Sequence, residues 1–172
     1  MFLEILPATK DHAALLCKIG AQFFYDAYKD VKSETDLQEY IADAFLLVKV
    51  EAEFDNPMLF FAIGYVNKIP VAYIKLRSDR THPNLEGIAN LEIERIYVDR
   101  QYWRYKFGGA MMNYAIEYAR QNKFDCLWLG VWQENNRAIS FYKNAGFEIF
   151  GTKKFYVGSE ENNDFVMRLM LS

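Results

Sequence analysis

The chain has 172 residues, with 20 Lys and Arg against 23 Asp and Glu, for a formal net charge of −3. At about 150 residues per domain this length predicts one domain, 1–172. Its 52% hydrophobic and 25% charged residues exclude disorder, and its acidic balance argues against a nucleic-acid binder working by phosphate neutralisation.

In chain order, Phe2 to Leu6 reads as a strand closed by Pro7, and Thr9 caps a helix carrying Leu15, Leu16, Ile19, Phe23 and Phe24. A second helix is expected to start near Ser33 or Thr35, to carry Leu37, Tyr40, Ile41, Ala44, Phe45 and Val48, and to be ended by Asn56-Pro57. Met58 to Val66 and Ile69 to Arg77 form a hairpin turning at Asn67-Lys68. Ser78 to Gly87 is a loop. Ala89 to Val98 alternates as a strand, with Glu92, Glu94 and Ile96 on one face and Leu91, Ile93, Arg95 and Tyr97 on the other. A basic connection, Asp99 to Phe107, leads into a helix from Gly108 with Met111, Met112, Ala115, Ile116 and Ala119 on one side. Phe124 to Val131 is a continuous apolar strand, buried on both faces. Asn135 to Ala145 is a short helix stopped by Gly146. Three closing strands are expected at Phe147 to Phe150, Phe155 to Val157 and Phe165 to Leu171, with Gly158 to Asn163 as a turn. The result is an α/β chain with a mixed sheet.

The apolar run 58–66 is far short of the roughly 20 residues of a membrane helix, and Met1-Phe2-Leu3-Glu4 lacks the basic, apolar start of a signal peptide. A soluble, cytoplasmic protein without a membrane partner is expected. Cys17, Cys126, His12 and His82 are isolated and make no metal site or disulfide framework.

The informative stretch runs from Leu91 to Phe147. Arg100, Arg104 and Lys106 stand against Asp99 alone, a local charge of +2, and Gly108-Gly109 follow. Small residues at a helix start let main-chain N–H groups approach an anion. A plain basic surface loop has the same composition. Further on, Asn135-Asn136-Arg137-Ala138-Ile139-Ser140-Phe141-Tyr142-Lys143-Asn144-Ala145-Gly146-Phe147 resembles the late signature of the GNAT acyl-CoA N-acyltransferases, Asn-x-x-Ala-x-x-Phe-Tyr-x-x-x-Gly-Phe. The 91–98 strand and the Gly108 loop are similar to that family's acetyl-CoA segment. Leu91 to Tyr97, Trp128 to Trp132 and Phe155 to Gly158 further resemble the PaiA-type polyamine N-acetyltransferases.

The resemblance implies the GNAT fold: a mixed, mostly antiparallel sheet flanked by helices and splayed between its two middle strands. It also implies an amine attacking the thioester of acetyl-CoA directly, with no metal. Tyr142 would protonate the leaving thiolate. Main-chain groups of Ile96, Tyr97 and Val98 would pair with the pantetheine arm and supply the oxyanion donor. The N–H groups around Arg104, Tyr105, Lys106, Phe107, Gly108 and Gly109 would hold the pyrophosphate, and Asn135 would contact the cofactor arm while capping its helix. The loop departs from the family pattern: Trp103 stands where a polar residue is usual, and Lys106 where the first glycine is usual.

Glu92 or Glu94 would take the amine proton; a pair of solvated carboxylates bonded to Arg95 or Lys75 is the plainer alternative. Residues 30–55 hold eight acids and two bases, a local charge of −6. Such a field would steer a polyamine, and Tyr25, Tyr28 and Tyr40 would meet its ammonium groups. A solvated acidic helix face is again the alternative. The expected acceptor is a small primary amine, spermidine or spermine first. An α-amino terminus or lysine of a protein, or a non-catalytic CoA-binding module, are the alternatives. The sequence leaves the oligomeric state open, a homodimer included.

Overall fold

The computed structural model describes residues 1–171. Seven strands form one sheet in the order β1-β2-β3-β4-β5-β7-β6. They are β1 (Glu4–Pro7), β2 (Leu59–Val66), β3 (Ile69–Arg77), β4 (Asn90–Val98), β5 (Cys126–Trp132), β6 (Glu148–Val157) and β7 (Glu160–Met170). Every neighbouring pair is antiparallel except β4 and β5, which run parallel. A parallel pair needs a crossover, and α4 (Phe107–Gln121) supplies it. Its Met111, Met112, Ala115 and Ala119 lie with Leu91, Ile93, Leu127, Leu129 and Met167 in the main core on one face of the sheet. The expected fold class holds, including the splay: β4 pairs with β5 only at Asn90↔Cys126, Leu91↔Leu127 and Glu92↔Trp128.

The opposite face is covered by α1 (Ala13–Tyr28), α2 (Glu34–Ala44) and α3 (Leu47–Phe54). The single helix expected from Ser33 or Thr35 to Asn56-Pro57 is two. The chain turns at Phe45-Leu46, where the buried Phe45 ring occupies the space that a side chain at Gly20 would fill. The turn also frees the next segment to lay Val50 and Phe54 over β2, with the Phe54 and Phe61 rings stacked at 4.6 Å. At the far edge, two long strands replace the three short ones expected. The 151–154 segment, Gly-Thr-Lys-Lys, looks too polar for a strand. It is one nonetheless, because β6 is an edge strand whose outward side chains meet solvent. A bulge at Phe150 keeps its register, and the turn is the short Gly158-Ser159 link rather than 158–163.

The hairpin at Asn67-Lys68 forms as expected, both residues at positive φ. The helix carrying Tyr142, α5 (Asn136–Asn144), is capped by the Asn135 side chain, which accepts from the Ala138 N–H at 3.1 Å. Gly146 follows at φ +95, and a Cβ there would lie 3.3 Å from Leu169. An L side chain in that backbone region costs about 1–2 kcal/mol. Gly146→Ala is therefore expected to lower the unfolding free energy by about 1–2 kcal/mol in urea titration without changing the m-value.

Candidate active site

The strict alternation read along β4 fails at one point, and that failure builds the site. Lys75 on β3 faces Arg95, yet Leu76 faces Ile93, so Glu94 is an extra residue in a β-bulge. Downstream of it the faces exchange. Ile96 and Val98 pack into the main core beside Leu91 and Ile93, while Glu92, Glu94, Arg95 and Tyr97 line a cavity on the other face. The expected grouping of Ile96 with the two glutamates is thus corrected.

The Asp99 N–H donates to the Val71 carbonyl at 2.8 Å. Because ladder bonds alternate along an antiparallel pair, Ile96 and Val98 turn their main-chain groups away from β3, toward the opening where β5 has parted. One of these groups is taken: Trp103 donates its indole N–H to the Val98 carbonyl at 2.8 Å. The Arg137 guanidinium sits 3.6 Å from the Trp103 ring centroid. The unusual Trp103 thus pins the 3-10 turn 100–105 to the end of β4 and ties it to the start of α5.

That turn delivers the chain to α4 through Lys106, which adopts the left-handed region at φ 61. Gly109 and Ala110 donate to the Lys106 carbonyl. The N–H of Lys106 finds no backbone acceptor among the described residues, and those of Phe107 and Gly108, in the first turn, have no partner within α4. Open donors at the start of a 15-residue helix attract an anion, and Arg104 and Lys106 add charge. Of the expected cradle 104–109, the amide of Gly109 is already used within the helix. Lys106→Gly is expected to raise the unfolding free energy by about 1 kcal/mol, since glycine removes the left-handed penalty; thermal or urea denaturation measures it.

The cavity encloses about 170 Å³. Its walls include Tyr28 and Tyr40, tilted and stacked respectively against Phe24, with Arg80, Trp132, Lys153, Phe155, Asn162 and Asp164. Tyr25 lies outside it and donates its hydroxyl to Glu34 at 3.0 Å. None of the eight acids of 30–55 lines the cavity. Asp30 pairs with Arg100, Asp43 with Lys49, Asp55 with Lys10 and Glu53 with Lys75, while Asp36 accepts from Ser33 and Ser159. The acidic segment is therefore mostly neutralised or turned outward.

The two glutamates of β4 are bound by cations. Glu94 lies 2.8 Å from Lys75, 3.2 Å from Arg77 and 3.0 Å from Arg80. Burial would raise its pKa, but Lys75, Arg95 and Arg80 outweigh that and hold it down to about 2. Glu92 lies 2.8 Å from Arg80 and 3.7 Å from Lys153. Asp164, which sequence reasoning missed, is 5% exposed, and burial pushes its carboxyl up to about 6 against the pull of Lys153 and Lys32. Its only sequence signal is an acid at an inward position of a strand, and the strand expected from Phe165 leaves it out, whereas β7 begins at Glu160.

Tyr142 packs its ring against Phe141, Phe147 and the main core. Burial raises its phenol pKa, and the charge it feels is that of Tyr28. Tyr28 lines the cavity on the other face of the sheet.

Comparison with known proteins now decides the family. The family model described as "Acetyltransferase (GNAT) family" matches residues 21–147. The chain belongs to the GNAT acetyltransferase family. Its chemistry is acetyl transfer from acetyl-CoA to an amine nitrogen. An uncharacterized N-acetyltransferase from the pepI 3′ region of Lactobacillus delbrueckii subsp. lactis is 28% identical over 153 residues, 89% of this chain and 88% of that protein. The probable N-acetyltransferase san of Drosophila melanogaster is 35% identical over 95 residues, 55% of this chain and 50% of that one. In fold, the chain is similar to the PaiA N-acetyltransferase of Thermoplasma acidophilum, crystallised with coenzyme A. The TM-score is 0.82 at 20% identity, covering 99% of this chain and 100% of the other.

Among the described residues no helix is long and apolar enough to cross a membrane. The residues at the β4–β5 opening fit the acetyl-CoA that this family uses: strand groups of Ile96 turned from β3, first-turn amides at Lys106 to Gly108 without a partner in α4, and flanking cations.

Proposed function

We propose that the protein moves an acetyl group from acetyl-CoA, in the cytoplasm, to a primary amine of a small molecule by direct attack. One observation carries the choice of acceptor. The cavity on the far side of the β4–β5 opening from Tyr142 is about 170 Å³, below the roughly 300 Å³ at which drug-sized ligand pockets begin. That volume admits an aliphatic amine arm rather than a broad peptide groove. Tyr28, Tyr40 and Tyr97 offer rings and hydroxyls to an ammonium, and three carboxylates, Glu92, Glu94 and Asp164, share the lining. The resemblance to PaiA-type enzymes makes a polyamine such as spermidine the first acceptor to test.

Each residue has a separate task in this reading. The amides of Lys106, Phe107 and Gly108 bind the pyrophosphate, with Arg104 and Lys106 adding charge. Ile96 and the Val98 N–H pair with the pantetheine arm as an added strand would. The main-chain N–H at Ile96 faces the carbonyl oxygen and stabilises its developing charge. Tyr142 gives its proton to the departing sulfur. Glu94, held as a carboxylate by Lys75, Arg77 and Arg80, is a weak base and serves to order those cations. Acetyl-CoA itself supplies the activated acyl group.

A second reading rests on a different observation. Four cations, Lys32, Arg80, Arg95 and Lys153, face the same cavity as Glu92, Glu94 and Asp164. A balance of that kind also suits an amine with a nearby carbonyl or carboxylate, such as a peptide α-amino end.

A panel of spermidine, spermine, a peptide with a free α-amino group and an acetyl-capped lysine peptide, read by released CoA thiol, separates the two. Spermidine is expected to turn over fastest. Turnover confined to a peptide would move the assignment to the second reading. Tyr142→Phe is expected to lower kcat about 10- to 1000-fold while leaving the dissociation constant of acetyl-CoA within about threefold. An unchanged kcat removes Tyr142 from the mechanism.

A further inference from the structure

Asp164 differs from the other two carboxylates of the cavity. Glu92 and Glu94 each have a cation within 3 Å, whereas Asp164 has none within 4 Å among the described residues; its Oδ1, like Glu92 Oε2, is buried without a hydrogen-bond partner, but only Asp164 also lacks the ion pair. A buried carboxylate oxygen with no partner is costly, and the fold does nothing to relieve it. It lies on β7 opposite Trp132 of β5 and Lys153 of β6.

The groups facing it are Lys153 from β6, Lys32 from the turn after α1, and Tyr28 from α1. Arg80, Glu92, Glu94 and Arg95 complete the charged lining. Both lysines are engaged elsewhere. Lys153 reaches over Gly130 toward Glu92 at 3.7 Å, with its ammonium 5.5 Å from the Trp128 ring. Lys32 bonds Asn162 and Glu160 and sits 3.8 Å from the Trp132 ring.

Gly130 keeps the approach open. A Cβ there would lie 3.2 Å from Asp164 Oδ2 and 2.4 Å from the Lys153 side chain. The position also connects to the other half of the site. Tyr28 feels the charge of Asp164, and Tyr142 in turn feels that of Tyr28.

We propose that Asp164 receives the acceptor: its carboxylate binds the incoming ammonium and removes the proton before the nitrogen attacks. The proposal rests on the acetyl-transfer reading above. The protons and bonds balance as follows. One N–H proton passes to Asp164, and the freed lone pair forms the bond to the thioester carbon. The C–S bond then breaks, with its electron pair going to sulfur, and Tyr142 gives that sulfur a proton. The second N–H proton of the intermediate restores the phenol. The proton on Asp164 leaves to solvent, the single proton released per turnover.

Burial sets the pH window. The folded-state pKa of about 6 lies above the ordinary 3.8, so ionised Asp164 is a destabilising element. That cost is present above pH 6 and disappears as pH falls below about 4. Asp164→Asn should therefore be at least as stable as the wild type at pH 8, where a structural ion-pair residue would leave a weaker protein.

The test compares wild type, Asp164→Asn and Glu92→Gln, all at full length. The acceptors are spermidine, or the peptide amine should the panel prefer it, and 2,2,2-trifluoroethylamine, whose ammonium gives up its proton far more readily. For Asp164→Asn, kcat/KM with spermidine is expected to fall about 100-fold or more. Its acid limb near pH 6 should disappear, and the loss with trifluoroethylamine should be much smaller. Glu92→Gln should keep the limb. CoA affinity by calorimetry should stay within about twofold in all three, and urea unfolding at pH 8 should show no loss of stability in Asp164→Asn.

Retention of the acid limb in Asp164→Asn, equal losses on both amines, or marked destabilisation at pH 8 would overturn the proposal. Should that variant not fold, the wild type alone decides, because absence of a limb near pH 6 with spermidine contradicts it. A wild type that binds CoA yet acetylates no amine of the panel overturns the acetyl-transfer reading itself. Activity in both proteins with the limb unchanged overturns only the role of Asp164.

Discussion

Beyond Glu92 no ladder hydrogen bond joins β4 to β5, and the remainder of the site is arranged around that gap. A sheet interior does not ordinarily leave main-chain groups unpaired. Here the parallel pairing stops after three residues, and the strand groups of Ile96 and the N–H of Val98 face an opening. A ligand that offers amides in sequence can complete the sheet at that point. The same gap brings the two sides of the molecule together. Tyr142 belongs to the helical layer on one face and Tyr28 to the layer on the other, yet the charge of Tyr28 bears on the ionisation of Tyr142.

The bulge at Glu94 is the second constraint. Without it, alternation would send Arg95 and Tyr97 into the apolar core and Ile96 into the cavity. One extra residue exchanges those faces. It places Glu92, Glu94, Arg95 and Tyr97 around the cavity and leaves Ile96 and Val98 to pack in the main core. The charges so collected are then distributed unevenly. Lys75, fully buried, is held between Glu53 and Glu94 at 2.7 and 2.8 Å. Arg80 bridges Glu92 and Glu94. This network neutralises itself, and what it leaves over is Asp164, whose burial is uncompensated by an ion pair. Active sites collect such carboxylates because a base must be charged yet ready to take a proton.

The elements that carry long apolar patterns were legible in the sequence: α1, α4, β2, β3 and β5 all lie where the periodicity put them. The helix from 33 onward was not, since its apolar spacing continues smoothly through Phe45 and only the packing of that ring beneath Gly20 makes the chain turn. The long edge strand β6 was hidden by the polarity of 151–154, which a solvent-facing edge tolerates. At the site, the Asn135 to Phe147 signature identified the family and placed Tyr142. The bulge left no mark that local sequence could show, because Glu-Ile-Glu-Arg-Ile alternates well enough either way. The acidic count over 30–55 was correct as arithmetic, but its surroundings were not visible, and lysines and arginines from distant segments neutralise much of it. Asp164 lies 70 residues or more from the glutamates of β4, and only the order of strands, with β7 inserted between β5 and β6, brings it to them.

The account stands or falls on the opening between β4 and β5 and the open amides at the start of α4 being one continuous cradle. Titration of CoA into 15N-labelled protein, followed by amide chemical shifts, examines this directly. The account predicts saturable shifts concentrated at Lys106, Phe107 and Gly108 and along Ile96 to Val98, with Tyr142 responding and Gly109 moving less. Shifts centred on another face of the sheet, with residues 96–98 and 106–108 unchanged, would contradict it.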